Sequence, residues 1–379
     1  MKMLISEQEK EKIYSPGLEG IPAARTKLSQ VDGKGGRLII AGYPVEEFAG
    51  KAVFEETIFM LWNDRRPKPT ETSLFSEELR SSRRFSKVIR TIIEEAVYAN
   101  LPLIDILRIG SAALSLGSQK EDPRKDAMAV LSTFPLIVAW AYRLLKGQTP
   151  VLPRQDLDIA ANFLYMLNGN DPDPRSVRAL NTYLNTVCDH GLNASTFAAR
   201  VIISTQSDMI SAVTGGLGAL KGPLHGGAPG PALDTVFEIG AKENAEKVLR
   251  EKLKHNERLM GFGHRIYKVR DPRADVLAKA AKILYDTDEK REFYDLAMFV
   301  EKTALGLLKE YKPDRILQTN VEFYTALLLH GLGFPTEIFT PVFAMGRAAG
   351  WTAHCFEQLQ ERIIRPDAIY TGEDGKLWN

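Results

Sequence analysis

Residues 259–286 read LMGFGHRIYKVRDPRADVLAKAAKILYD, and the second half of the stretch decides the fold class. Val276, Leu277, Ala280, Ile283 and Leu284 recur at spacings of three and four, the signature of one apolar helix face. Asp271 suits a helix N-cap and Pro272 the first helical position, so the spacing predicts a helix over 272–286. The same period runs through 155–168, 175–188, 242–254, 291–311, 321–330 and 341–361, with Pro366 expected to stop the last helix. Strand patterns are rare. The best lies at 25–43, RTKLSQVDGKGGRLIIAGY, two short runs around a glycine-rich turn, which reads as a β-hairpin. The expected fold class is mainly α with a small N-terminal β-hairpin.

The first half of the stretch raises a chemical question. His264 sits in glycine-loosened backbone among Arg265, Lys268, Arg270 and Arg273, with Asp271 as the sole acid between Arg258 and Arg273. Such a cluster repels itself unless an anion comes to rest there. The chain as a whole carries a formal charge of only +1 over 379 residues, which argues against nucleic acid as a main partner. Two cysteines, Cys188 and Cys355, make no disulfide framework and fit a reduced, cytoplasmic setting. The charged start MKMLISEQEKEKIY is not a signal peptide. The apolar run 127–142 is shorter than a membrane span and holds Pro135, so a buried core helix kinked at that proline is expected rather than an anchor.

A chain of this length favours two domains. KGPLHGGAPG at 221–230 and HGLGFPTE at 330–337 are candidate crossings. They divide the chain into a large domain, 1–224 with 331–379, and an inserted small domain, 225–330.

Three histidines sit in unusual settings: His190 in CDHGLNAST, His225 in GPLHGGAPG and His264 in GFGHRIYK. Glycines beside a histidine permit close backbone approach to a ligand. His255, His330 and His354 lack such context and read as structural. Arg273, aimed by the Asp271 cap, suits bidentate binding of a carboxylate, although a solvated basic helix start is an equal reading of those residues. In TNVEFYTALLLHG, Glu322 falls in the first turn of a helix capped by Thr319 or Asn320, where the dipole favours an ionised acid. An ionised carboxylate near neutral imidazoles is suited to removing a proton next to a carbonyl. Arg347 lies among small residues in AMGRAAGWTAH, while Arg362 and Arg365 follow in QERIIRPDAIY. No tight metal-ligand spacing is visible.

Together GPLHGGA, LMGFGHRIYKVRDPRA, DHGLNASTFAARV, TNVEFY and GRAAGWTAH…RIIRP resemble the citrate synthase family in its shorter bacterial and archaeal form, over nearly the whole chain. The resemblance implies a two-domain, nearly all-helical homodimer that condenses acetyl-CoA with oxaloacetate and water, with no cofactor, no metal and no membrane or nucleic-acid partner. It implies that His225 stabilises the enol of acetyl-CoA, His264 protonates the oxaloacetate carbonyl and Glu322 is the base. His190, Arg273 and Arg347 match oxaloacetate ligands, Arg365 an arginine from the partner subunit, and Lys268 with Gly263 the CoA site. A 2-methylcitrate synthase using propionyl-CoA and a non-catalytic CoA- or dicarboxylate-binding homologue are the alternatives. Three positions depart from the family: Glu322 replaces the usual aspartate, VCDHG replaces HADHE, and HGGAPG replaces HGGANE. Local repacking around Glu322 is expected to absorb its extra methylene.

Overall fold

The computed structural model describes residues 11, 13–118, 121–226, 229–263, 267 and 269–377. The candidates His264 and Lys268 lie outside the described residues. Those described are overwhelmingly helical, with one three-stranded antiparallel sheet in the order β1 (Ser29–Asp32), β2 (Arg37–Ile40), β3 (Tyr43–Pro44). Asp32 pairs with Arg37, leaving residues 33–36 as the turn. Asp32 Oδ1 accepts the N–H groups of Lys34 (3.0 Å) and Gly35 (2.8 Å), which tightens it. Gly36 has φ +63°, and a Cβ there would meet the Val269 side chain at 2.6 Å. The hairpin tip therefore rests against the cationic segment of residues 269–270.

Ten helices position the site: α1 (Pro123–Leu145), α2 (Pro174–Val187), α3 (Ala194–Ser204), α4 (Met209–Leu220), α5 (Pro229–Ile239), α6 (Ala245–Lys254), α7 (Pro272–Lys282), α8 (Asp288–Tyr311), α9 (Val321–Gly331) and α10 (Thr336–Gln358). Helix α1 is long and apolar enough to cross a membrane, yet 78% of its apolar window is buried inside the fold, as expected of a core helix. It runs on as one helix through Pro135. Helix α10 is the axis of the larger lobe, packing on α1, α2, α3 and α4. Helices α5 to α9 pack chiefly on one another, and α7 and α9 meet the larger lobe through α2. Between α9 and α10 the chain bends by 110° through residues 332–335, at the second candidate crossing. The first crossing is a run of turns over 221–226.

Two helix ends fall short of their periodicity. Helix α7 stops at Lys282 rather than residue 286, because Thr287 caps α8 so soon afterwards that the chain must turn. Helix α10 starts earlier, at Thr336, and ends at Gln358, well before Pro366. Side chains draw the tail out of the helix. Gln358 Nε2 donates to the Arg362 carbonyl (2.9 Å), and Ser204 Oγ accepts from Ile364 N (3.0 Å).

Candidate active site

The larger lobe supplies its residues from three places: the α2–α3 connection, the turn at 222–226 and the buried face of α10. Asn193 caps α3 by accepting the Thr196 N–H (3.1 Å), which leaves the Ser195 N–H unspent within that first turn. That amide points at His225 Nε2 in a long 3.4 Å contact, with Ser195 Oγ 2.8 Å from the same nitrogen. Ser195 Oγ also accepts from the buried Trp351 indole N–H (3.1 Å). A backbone N–H only donates, so Nε2 is the accepting nitrogen and the neutral ring carries its proton on Nδ1. Burial first, and the Arg347 charge second, push the His225 pKa down to about 4. At neutral pH it is an uncharged donor.

Arg347 is buried on α10, and its Nε donates to the Val187 carbonyl (2.8 Å) while its guanidinium lies 4.8 Å over the Phe343 ring. Burial pushes its pKa down to about 10, with Asp189 opposing and Arg273 adding to the depression. A cation held so is under-compensated and favours an arriving anion. Asp189, next to His190, is buried and held below the usual carboxylate range despite its burial, by His354, Ser29 and Arg347. His354 Nδ1 takes a hydrogen bond from Arg200 (2.9 Å), an obligate donor, so His354 Nε2–H faces Asp189 at 3.2 Å. Arg200 in turn pairs with Glu357 (2.6 Å) and Gln358 (2.9 Å). This buried chain stiffens the backbone that carries His190. Gly191 follows at φ +61°, a left-handed turn that explains glycine at this departure from the family pattern.

The smaller lobe faces this wall with α7 and α9. Asp271 caps α7 as expected, accepting from Arg273 N (3.0 Å), but it also takes the guanidinium fork through Nε (3.0 Å) and Nη2 (2.7 Å). The bidentate partner of Arg273 is therefore its own cap and not an outside carboxylate. Two residues' separation makes that pairing nearly free of loop entropy. Arg273 lies 5.9 Å over the Tyr267 ring, whose hydroxyl is 3.2 Å from His190 Nε2. Asn320 proves to be the α9 cap, accepting from Glu322 N (2.9 Å). Glu322 is largely buried, and burial raises its pKa above the ordinary carboxylate range against the pull of Arg258 and Arg273. Its Oε2 is buried and has no hydrogen-bond partner among the described residues.

The fields connect the two walls. Arg347 is within electrostatic reach of His225 and Arg273, Arg273 of Glu322, and His190 meets the Tyr267 whose ring Arg273 overlies. Gly263, at φ +79°, spends its N–H on the Gln318 carbonyl (2.7 Å) and its carbonyl on Asn320 Nδ2 (2.8 Å), so its N–H is already committed. Arg365 does not join. It lies exposed on the tail beyond α10, in a surface groove with residues 18–25, Arg200 and Arg362. Among the described residues no group of three or more His, Cys, Asp or Glu is arranged to hold a metal ion. The sequence reading missed Asp189 and Ser195, while His354, read as structural, is indeed a buried link between Arg200 and Asp189. Asp189 and Ser195 stand in the same motif as His190, but their partners lie far along the chain.

The family model for the citrate synthase C-terminal domain matches residues 17–367. The chain is 38% identical to the citrate synthase of Synechocystis (95% of this chain, 91% of the relative) and 38% identical to citrate synthase 2 of Bacillus subtilis (94% and 96%). It is also 36% identical to the 2-methylcitrate synthase of Mycobacterium tuberculosis (95% and 91%). Among solved structures it is similar to citrate synthase from Pyrobaculum aerophilum, with TM-score 0.86, 34% identity and coverage of 96% and 93%. The Thermoplasma acidophilum enzyme, in ternary complex with carboxymethyl coenzyme A and oxaloacetate, matches with TM-score 0.86, 30% identity and coverage of 96% and 98%.

Proposed function

The chain belongs to the citrate synthase family, and from that premise and the geometry of its cleft we propose that it condenses acetyl-CoA with oxaloacetate and hydrolyses the product to citrate and CoA. A thioester methyl group is a weak acid, so its proton leaves only if the charge developing on the carbonyl oxygen is stabilised as the base works. Glu322 is the base: among the described residues its buried Oε2 has no hydrogen-bond partner, and burial raises the basicity of the carboxylate against the pull of Arg258, Arg273 and Asn320. That oxygen is the single observation that carries the reading. The neutral His225 donates from Nδ1 to the enolate oxygen, its ring held by the α3 terminus and Ser195. The enol carbon attacks the oxaloacetate ketone, whose oxygen takes a proton from His264, and water then cleaves the thioester.

Oxaloacetate rests between His190, Arg347 and Arg273, with Arg273 meeting it through Nη1 while Nε and Nη2 stay on Asp271. Lys268 meets the CoA phosphates, and Gly263 lets the backbone approach them. The lobes 1–224 with 331–379 and 225–330 act as two domains that close over both substrates and exclude water during condensation. A homodimer in the cytoplasm is the assembly in which Arg365, turned outward here, enters the partner's cleft. The chemistry draws on no cofactor beyond the acetyl-CoA substrate. Thiol release from acetyl-CoA that depends on added oxaloacetate tests the proposal, and its absence in folded protein leaves the non-catalytic binding role. The M. tuberculosis relative motivates a second reading, 2-methylcitrate formation from propionyl-CoA. One methylene is worth about 1–3 kcal/mol in a pocket. The ratio of kcat/KM for the two thioesters decides, and the expected preference is for acetyl-CoA.

A further inference from the structure

We infer that Glu301 on α8 is a positioning residue that locks the loop of the base to the segment bearing His264 and Arg273, an inference that rests on the condensation proposed above. Glu301 occupies the core side of an amphipathic helix, beside the buried Ala297, Val300 and Ala304. Its side chain is only 12% exposed. An apolar residue there would bury without desolvating a charge, so the acid calls for its own explanation.

Its two oxygens are fully committed. Oε1 accepts from the Thr319 hydroxyl (2.5 Å) and lies 3.5 Å from Arg270 Nη1, while Oε2 accepts from the Tyr324 hydroxyl (2.8 Å). Thr319 and Tyr324 flank Glu322 at three residues before and two after. Arg270 donates onward to the Tyr324 hydroxyl (3.4 Å) and to Asp275 (2.7 Å), and its guanidinium lies 5.5 Å over the Tyr324 ring. It stands three residues before Arg273. The third tie runs through the backbone: Thr319 bridges Phe262, Asn320 N donates to the Gly261 carbonyl (2.9 Å), and Gly263 N donates to that of Gln318 (2.7 Å). One carboxylate thus joins the first turn of α9, the strand-like 261–263 leading to His264, and the approach to α7. Only an acid fits, because three donors converge and a glutamine would turn an N–H₂ toward one of them.

A carboxylate base displaced by about 1 Å loses on the order of a hundredfold in rate. Glu301→Gln is therefore expected to lower kcat for citrate formation roughly 10- to 100-fold. Because Glu301 touches neither His190 nor Arg347 and reaches Arg273 only through Arg270, the oxaloacetate dissociation constant should rise by only a few-fold, well short of the fall in kcat. Thr319→Val and Tyr324→Phe guard against a folding failure, each removing one donor for an expected fall of roughly 3- to 10-fold. Adding Glu301→Gln to Thr319→Val should cost less than the product of the two, since they share one contact. An unchanged kcat in Glu301→Gln, strict multiplicativity, or kcat and oxaloacetate affinity falling together with the unfolding midpoint overturns the inference. Failure of the proposed activity shows separately, as absent thiol release by the unsubstituted protein.

Discussion

The two walls of the cleft are built on opposite principles. On the larger lobe, Asp189, His354, Arg200 and Glu357 form a chain of contacts between distant segments, although among the described residues Asp189 Oδ1 and Arg200 Nη2 also lack a hydrogen-bond partner. On the smaller lobe, Glu322 is partly buried with one oxygen unanswered, held only through its backbone cap and its neighbours. The first set ties segments more than 150 positions apart, whereas Glu322 is fixed from the start of its own helix. A group that must receive a proton cannot have its lone pairs committed in advance, whereas a group that orients a substrate works best when it cannot move.

If that contrast holds, Glu322→Gln gives the largest effect on rate. It should lower kcat roughly 10²- to 10⁴-fold, the range for removing a positioned base, in steady-state citrate formation. The same substitution should raise the unfolding temperature at neutral pH. The folded-state pKa of Glu322 lies above its unfolded value, so the folded protein binds more protons between the two, and stability falls as pH rises through that window. The neutral amide escapes this cost.

On the opposite wall, Asp189→Asn should act first on stability. Removing one member of a buried charge chain strands Arg347 and His354, at a cost of about 3–5 kcal/mol by denaturant unfolding. A loss below 1 kcal/mol would mean that this wall is not the rigid one.

The pH profile sharpens the comparison further. Activity should rise with pH as Glu322 ionises, through a midpoint above the ordinary carboxylate value, and should show no inflection from His225 between pH 5 and 8. For stability the sign of His225 is the reverse of that of Glu322. Its folded pKa, about 4, lies below the ordinary imidazole value of 6.5, so its contribution is present above 6.5 and is lost as pH falls from there towards 4. His225→Gln should flatten that part of the stability curve. The smallest effect belongs to Ser195→Ala, which leaves the backbone N–H on Nε2 and removes the hydroxyl with its contacts to His225, Trp351 and Asn193, for roughly a 2- to 10-fold loss in kcat.

Local rules made part of this legible in the sequence. The hairpin, the Asp271 cap, and the place of Glu322 in the first turn of α9 each depend on residues within a few positions of one another. The same locality left out one partner of Arg273. Its fork suits an external carboxylate, but the nearest carboxylate in sequence, Asp271, takes it first. What no spacing announced are the long-range partners. His354 meets Asp189 from 165 positions away, and Glu301 meets Thr319 from 18 positions away on a helix whose pattern is ordinary. Likewise the end of α10 is set by Gln358 and Ser204 reaching to the tail rather than by Pro366.

The most direct test is exchange of the acetyl-CoA methyl protons with deuterated solvent, in the presence of a dicarboxylate that fills the oxaloacetate site but carries no ketone. The unsubstituted protein should exchange them and Glu322→Gln should not. Exchange at equal rates by the two would contradict the assignment of the base, and with it the account of the cleft.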